Sequence, residues 1–201
     1  MDLGATLLST GWASGVNAYA TLALLGILGR AGVGEVPEQL QSDPVIALSA
    51  VMFVIEFVTD KVPLLDSAWD VVHTAVRPAI GGAIGAIFGT DADLSGLEEV
   101  GAAGGTGTVA LASHAVKAGI RLGINTSPEP ASNIFVSLAE DATVALMVVF
   151  ALEEPVLAAT VAVVLLLAVG AIVIFAAKRI RRGAARLREW RARRSGRAPP
   201  G

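Results

Sequence analysis

Six carboxylates lie in or beside stretches of the sequence that are otherwise apolar enough for a membrane. They form three pairs along the chain: Glu56 and Asp60, Asp66 and Asp70, and Glu140 and Asp141. In the first two pairs the residues are four apart, which places both side chains on one face of a helix. A carboxylate in the middle of a bilayer is costly unless it is paired, protonated or hydrated. The pattern therefore predicts a proton or cation pathway at a helix interface, with Asp66 and Asp70 at its cytoplasmic mouth.

Three basic residues in these or neighbouring segments are the predicted counter-charges: Arg77, Lys117 and Arg121. A guanidinium stays charged in proteins, so Arg77 needs a buried acid, and Glu56, Glu140 and Asp141 are the candidates. Two interpretations stay open. In one, the bases tune the pKa values of a polar pathway; in the other, the charges form ion pairs that only hold the helices together. If each acid of the predicted pathway is paired with a base, in a helix interface that excludes water, the second interpretation is favoured.

Five uncharged polar residues are predicted to line the same interior: Asn17, His73, His114, Asn133 and Ser137. Asn133 and Ser137 precede Glu140 at helical spacing and share its face. The chain has two histidines and no cysteine, which excludes thiolate metal sites and leaves the question of a metal open. No HExxH, P-loop or GxSxG motif occurs. We therefore expect neither an enzyme nor a cofactor.

Composition places the chain among integral membrane proteins. Of its 201 residues, 54% are hydrophobic and 16% are charged, whereas a soluble domain carries about 25% charged residues. A spanning helix needs about 20 mostly apolar residues. Six segments are predicted to be such helices, at about 3–30, 43–63, 66–89, 97–123, 132–152 and 155–177. The predicted fold is all-α: a polytopic bundle of about six transmembrane helices in one domain, residues 1–177.

Segments one to three resemble segments four to six. Each set begins with a helix rich in small residues and continues with a helix that carries acids near its middle. Three spans per unit would make the two units antiparallel, as in inverted-repeat transporters. A 3+3 inverted repeat is therefore one prediction for this bundle.

Glycines are frequent in segments one, three and four. Gly81, Gly85 and Gly89 are spaced four apart, which predicts close helix packing. Packing is also the favoured interpretation of the glycines within 11–17 and 101–107. The alternative is that these two stretches are helix breaks, which expose backbone carbonyls to a substrate.

Charge is divided unevenly along the chain. The first 177 residues hold 17 acids and five bases, whereas residues 178–201 form a basic tail with ten bases and one acid. A basic tail directly after a membrane helix is typical of a cytoplasmic segment that contacts anionic lipid headgroups. We therefore expect lipid rather than nucleic acid as its partner, with both termini in the cytoplasm. The N-terminus lacks a basic region, so no cleaved signal peptide is expected.

Three stretches carry a resemblance to a known family. In chain order they are SGVNAYATLALLGILGR, EFVTDKVPLLDSAWDVVHTAVRP and SHAVKAGIRLGINTSPEPASNIFVSLAEDA. They resemble the bacterial integral-membrane family called domain of unknown function 4126, over most of the chain as far as about residue 177. The resemblance implies a multi-pass protein of the bacterial cytoplasmic (inner) membrane. It implies no catalytic or binding residue.

The leading hypothesis is a membrane transporter or channel for a small cation or protons that uses the intramembrane carboxylates. The alternative is a non-transporting scaffold or lipid-interacting protein whose buried charges are structural salt bridges. Membrane lipids are the expected partners in both cases, and a homo-oligomer is compatible with both. The sequence does not specify the substrate, the direction of transport or a coupling ion.

Overall fold

The chain is helical throughout the part that the computed structural model describes, residues 2–124 and 130–194. The helices are α1 (Leu3–Val16), α2 (Ala18–Arg30), α3 (Asp43–Thr59), α4 (Pro63–Asp91), α5 (Leu97–Ile124), α6 (Pro130–Glu153) and α7 (Pro155–Arg194). No strand occurs within these ranges. The predicted all-α fold is confirmed.

Predicted segments two to six each correspond to one helix, whereas segment one is interrupted. Asn17 has an extended backbone, with φ −148° and ψ 101°, between α1 and α2. Its side-chain oxygen accepts the backbone N–H of Ala20 at 2.9 Å and so caps α2, a role for which asparagine is preferred. A helix break is therefore present in segment one. Segment four has none, because α5 is continuous.

Small residues let α1, α4 and α5 approach closely, as small residues do in membrane bundles. A Cβ on Gly15 of α1 would lie 2.1 Å from the backbone oxygen of Ala110 in α5. A Cβ on Gly81 of α4 would lie 2.7 Å from the Ala110 Cβ, and one on Gly85 would lie 2.5 Å from the backbone oxygen of Ala102. The close packing predicted for the α4 glycines is confirmed at Gly81 and Gly85, whereas a Cβ on Gly89 would lie 3.4 Å from the Ala102 Cβ, an ordinary contact.

The glycine-rich stretch of α5 behaves differently from the prediction. A Cβ on Gly101, Gly104 or Gly105 would meet no atom within 4 Å, and only Gly107 packs closely, 2.9 Å from the backbone oxygen of Pro78. Packing therefore does not explain these three glycines. They lie on an open face of an unbroken helix.

The bundle interior has an apolar part and a polar part. Trp12, Leu25, Phe88, Val144 and Val148 are among the buried side chains of the apolar core. The polar part begins where α1 ends and contains charged side chains from α3, α4, α5 and α6. Large apolar side chains of α3 and α7 point outward instead, which is typical of helices that face lipid.

In the part of the chain that the structure describes, three helices are long and apolar enough to cross a membrane: Leu65–Asp91, Ala131–Glu153 and Pro155–Gly183. The helix Ala18–Arg30 is apolar but shorter, and α3 has 17 residues. These helices indicate a membrane protein. The count of six spans and the 3+3 repeat stay predictions.

The last helix continues past the predicted end of segment six. α7 has 40 residues and runs to Arg194, so the change from apolar to basic sequence at residue 178 is not a change of secondary structure. Lysine, arginine and alanine are all good helix formers. Residues 195–201 of the predicted basic tail lie outside the described part of the chain.

Candidate functional site

Most of the charged residues singled out in the sequence meet at one place, next to the C-terminus of α1. We call these eight the charge cluster: Glu56, Asp60, Asp66, Asp70, Arg77, Lys117, Arg121 and Glu140. Seven of them are at most 7% exposed, and the side chain of Glu140 is 14% exposed. The helical spacing accounts for this convergence, since each helix turns its single polar stripe toward the same interior.

Arg77 joins α3 and α4 to the end of α1. Its guanidinium lies 2.6 Å from Glu56 Oε1 and 3.3 Å from Asp70 Oδ1. It also donates to the backbone oxygen of Gly15 at 3.4 Å. Of the three acids predicted as its partners, Glu56 is confirmed, whereas Glu140 binds a different base. A cation is favoured at this position because the C-terminus of a helix carries partial negative charge.

His114 is neutral in this arrangement. Arg77 lies 2.6 Å from His114 Nδ1, and a guanidinium can only donate, so Nδ1 must be the accepting nitrogen. The other nitrogen, Nε2, then carries the hydrogen and donates to Thr74 Oγ1 at 3.1 Å. Thr74 in turn donates to the backbone oxygen of Asp70 at 2.9 Å. The histidine therefore adds no positive charge to the cluster.

Lys117 is surrounded by carboxylates from two other helices. Its Nζ lies 2.9 Å from Asp60 Oδ2, 3.6 Å from Glu140 Oε2 and 3.8 Å from Glu56 Oε1. The ammonium also donates to the backbone oxygen of Val16 at 3.0 Å. Val16 is the last residue of α1, so Lys117 satisfies a carbonyl that the helix break leaves free.

Arg121 joins α5 to α6 and to the end of α3. It holds Glu140 through two nitrogens, with the closest contact at 2.5 Å from Oε2. It donates to the backbone oxygen of Asp60 at 3.0 Å and to Asn133 Oδ1 at 2.8 Å, and it lies 3.8 Å from Asp66 Oδ1. Such a forked contact is the strongest kind of ion pair that arginine makes.

The cluster holds more acids than bases. Five carboxylates surround three cations, so full ionisation would leave an excess of two negative charges. Glu56 Oε2 and Asp60 Oδ1 are buried and have no hydrogen-bond partner among the described groups. Burial of an uncompensated carboxylate is costly. Within the described cluster, neutrality at full ionisation would take two further positive charges.

Asp141 and Lys61 lie beside the cluster rather than in it. Asp141 Oδ1 accepts the amide of Asn17 at 3.1 Å, and no described base lies within ion-pairing distance of it. Lys61 Nζ lies 3.0 Å from the centroid of the Phe57 ring, a cation–π contact. It also donates to the backbone oxygen of Phe57 at 2.7 Å and to Ser137 Oγ at 3.4 Å.

His73 lies at the edge of the site among aromatic residues. Its Nδ1 donates to the backbone oxygen of Trp69 at 2.8 Å, and its Nε2 lies 3.1 Å from the Tyr19 hydroxyl. The Trp69 ring stacks on the imidazole with centroids 4.5 Å apart. Trp69 and Phe57 were not identified from the sequence as part of the site. Each lies four residues before its partner, His73 for Trp69 and Lys61 for Phe57, and this spacing puts the two members of a pair on one helix face.

Two partly open cavities reach the charge cluster from different sides. One of about 200 Å³ lies between α1, α5, α6 and α7 and has Lys117 and Glu140 on its wall. The other, of about 240 Å³, lies between α4 and α5 and reaches Asp70 and Arg121. The cluster is thus accessible in two directions, although most of its side chains are buried.

The predicted polar lining also collects at this place. Asn17, His73, His114, Asn133 and Ser137 are all buried and all contact the cluster or its immediate neighbours. Among the described residues, no group of three or more histidine, aspartate or glutamate side chains has the arrangement of a metal site. The described contacts of the site are ion pairs and hydrogen bonds. Glu56, Asp60 and Glu140 each form an ion pair with a base, whereas Asp141 forms none with a described base.

Comparison with known proteins identifies the family of the chain and no nearer relative. Searches of curated proteins and of solved structures give no significant match. One family model, described as a domain of unknown function (DUF4126), matches residues 5–175. This match covers the helices that build the charge cluster. The chain therefore belongs to the DUF4126 family.

Proposed function

We propose that this protein moves protons or a small cation across a membrane and that the charge cluster is its ion site. The excess of acids over bases in a buried place carries this proposal. Intramembrane ionisable residues are rare and commonly mark ion pathways and proton relays. The helix break at Asn17 supports the same function, because interrupted helices form the ion sites of many secondary transporters.

In the proposed site the bases keep their positive charge, and the acids bind and release the transported ion. Arg77 and Arg121 keep their charge, and Lys117 lies within 4 Å of three carboxylates. A proton or cation that enters must therefore bind to an acid. Glu140 is the member with the largest exposure and faces a cavity. Asp141 is next to it, accepts the Asn17 amide and forms no ion pair with a described base.

A second function has its own support. Glu56, Asp60 and Glu140 are each bound to a base, which is the arrangement of a structural network. In that case the protein is a membrane scaffold, and the surplus acids stay protonated. The ion pairs would then hold the helices rigidly in register and would not form an ion pathway.

Replacing Asp141 with asparagine is expected to separate the two functions. The change removes a titratable group and leaves every ion pair of the cluster in place, and an asparagine can still accept the Asn17 amide. In proteoliposomes, flux of the transported ion should fall about tenfold or more, because a positioned proton-transfer group is lost. Flux is measured for protons, sodium, potassium and divalent cations. The thermal unfolding of the variant in detergent should equal that of the wild-type protein.

The control is Glu153→Gln, the same chemical change at an exposed position of the same helix. It should leave flux unchanged. Absence of flux for every ion in the wild-type protein would overturn the transport proposal in favour of the scaffold. Flux that Asp141→Asn does not reduce would remove Asp141 from the pathway.

We also propose that the protein is a six-span protein of the bacterial cytoplasmic membrane, with both termini inside. The basic part of α7, which begins at Lys178, would then lie against anionic lipid headgroups. The proposed site includes no catalytic group, resident cofactor or nucleic-acid surface. The predicted 3+3 repeat is compatible with this topology.

Single cysteines test this topology directly, because the natural chain has none. Ser95→Cys, between α4 and α5, should react with a membrane-impermeant maleimide on intact cells. Arg182→Cys, on the basic part of α7, should react only after the cells are made permeable. Both positions are exposed. Labelling of both from the same side would contradict an odd number of spans between them.

A further inference from the structure

The cavity between α5 and α6 has a composition that points to a ligand. Its wall is largely apolar and includes Val116, Ile120 and Val136. Lys117 and Glu140 of the charge cluster lie on the same wall. Specific ligand sites commonly combine an apolar wall with a few polar groups that set orientation.

We propose that this cavity binds a small apolar organic cation, with its positive end at Glu140. This inference names a substrate class for the transport function proposed above and rests on that function only for movement across the membrane. Binding itself needs only the cavity and the charge cluster.

The size of the cavity limits the ligand. The partly open cavity has a volume of about 200 Å³, and a protein cavity of about 150 Å³ accommodates benzene. One aromatic ring with a short cationic substituent therefore fits. The indole of Trp12 lies on the wall, and aromatic faces attract ammonium groups.

The charge of the ligand follows from the groups that are already occupied. Ser113 Oγ donates to the backbone oxygen of Trp12 at 2.9 Å, and Thr143 Oγ1 donates to that of Ala139 at 2.6 Å. Both hydroxyl groups on the wall therefore already donate their hydrogen within the protein, and neither is free to donate to an anionic ligand.

Lys117 does not recruit an anion, because its ammonium lies among three carboxylates. Among the described residues, Glu140 is the one acid on this wall. It already pairs with Arg121, but the cluster behind it holds five carboxylates for three cations, so a ligand cation would add positive charge where the cluster lacks it. The electrostatic complement of the cavity is therefore a cation.

The test uses three ligands of nearly equal shape or size. Benzyltrimethylammonium is the cation, neopentylbenzene is its uncharged isostere, and phenylacetate is an anion. Binding to the full-length protein in nanodiscs is measured by isothermal titration calorimetry. Benzyltrimethylammonium should bind about tenfold or more tightly than neopentylbenzene, from the ionic and cation–π contacts, and phenylacetate should not bind.

Two variants locate the binding without changing any charge. Val136→Phe fills the cavity and should abolish binding of the cation. Leu138→Phe, an exposed position on the same helix, should leave binding intact. Thermal unfolding of both variants, compared with the wild-type protein, verifies that they are folded.

Four outcomes would overturn this inference. Two concern selectivity: neopentylbenzene binds as tightly as the cation or more tightly, as in a site that takes lipid chains, or phenylacetate is preferred. The other two are that no probe binds and that Val136→Phe leaves binding of the cation unchanged. The measurement is made at equilibrium, so it succeeds or fails independently of transport. Proton flux without cation binding would overturn this inference and leave the proposed function in place.

Discussion

Arg77→Met is expected to destabilise the protein by about 3–5 kcal/mol, the usual consequence of removing one partner from a buried ion pair. The change removes the closest base of Glu56, since the Arg77 guanidinium lies 2.6 Å from Glu56 Oε1. Glu56 is fully buried. Asp70 loses its ion pair at 3.3 Å, and His114 Nδ1 loses its donor. Methionine fills much of the space of the arginine stem but supplies no donor.

Reversible unfolding in mixed detergent and dodecyl sulfate, followed by circular dichroism, measures this loss. Adding Glu56→Gln to Arg77→Met should recover part of it, because the unpaired buried charge is then gone, and the double-mutant cycle isolates the coupling of the pair. The matched control is Arg30→Met. Arg30 pairs with Asp43 at the surface, where the two side chains are 45% and 88% exposed.

Exposed pairs contribute roughly 0–1 kcal/mol, so the control should unfold almost as the wild-type protein does. An Arg77→Met variant as stable as the Arg30→Met variant would show that Arg77 does not hold the cluster together. The structural role of the ion pairs would then be wrong, whatever the flux measurements show.

Gly15→Ala is expected to be as damaging, although it adds only one methyl group. Its Cβ would lie 1.8 Å from Ser113 Oγ and 2.1 Å from the backbone oxygen of Ala110. A side chain can rotate away, whereas a backbone oxygen cannot, so α1 and α5 must separate. The separation lengthens the contact of Lys117 with the backbone oxygen of Val16, now 3.0 Å. Overpacking of a core costs about 1–3 kcal/mol and occasionally more, and the overlap with a backbone atom puts this change at the upper end of that range.

The same unfolding measurement tests this prediction, with Gly101→Ala of α5 as the control. A Cβ at Gly101 would meet no atom within 4 Å, and alanine is a better helix former than glycine by about 1 kcal/mol. The control should therefore be neutral or slightly stabilising. Gly15→Ala combined with Ser113→Ala should stay destabilised because the overlap with Ala110 remains. Wild-type stability of Gly15→Ala would contradict the close approach of α1 and α5.

Much of the site was predictable because helical periodicity is a local property. The spacing of Asp66, Asp70, His73 and Arg77 put them on one stripe of α4, and all four are buried. The spacing of His114, Lys117 and Arg121 did the same for α5. A polar stripe on an apolar helix has only the protein interior to face, so the convergence of the stripes could be expected without coordinates.

The partner of each charge was not predictable in the same way. Arg77 had three candidate acids and binds one of them, Glu56, together with Asp70 of its own helix. Arg121, treated in the sequence only as a counter-charge, binds Glu140 and also holds the end of α3. Spacing places a residue on a face, but the distances between faces depend on how the helices cross.

The interruption of segment one is the clearest case of a choice made by the tertiary structure. Asparagine at position 17 is compatible with a helix interior and with a cap, and small residues around it are compatible with packing. α1 shows both, since Gly15 packs on α5 and Asn17 begins α2. The break is favourable here because Lys117 and Arg77, from two other helices, satisfy the carbonyls at the end of α1.

The sequence by itself therefore determined that the chain is helical, which helix faces carry charge and the membrane character of the chain, since all three depend on residue type and local spacing. Only the tertiary structure decided which acid meets which base, that α1 ends at the cluster, and that five carboxylates share three cations. These features depend on contacts between residues far apart in the chain. Ion pairs act over a few ångströms, so their partners are known only when the helices are packed.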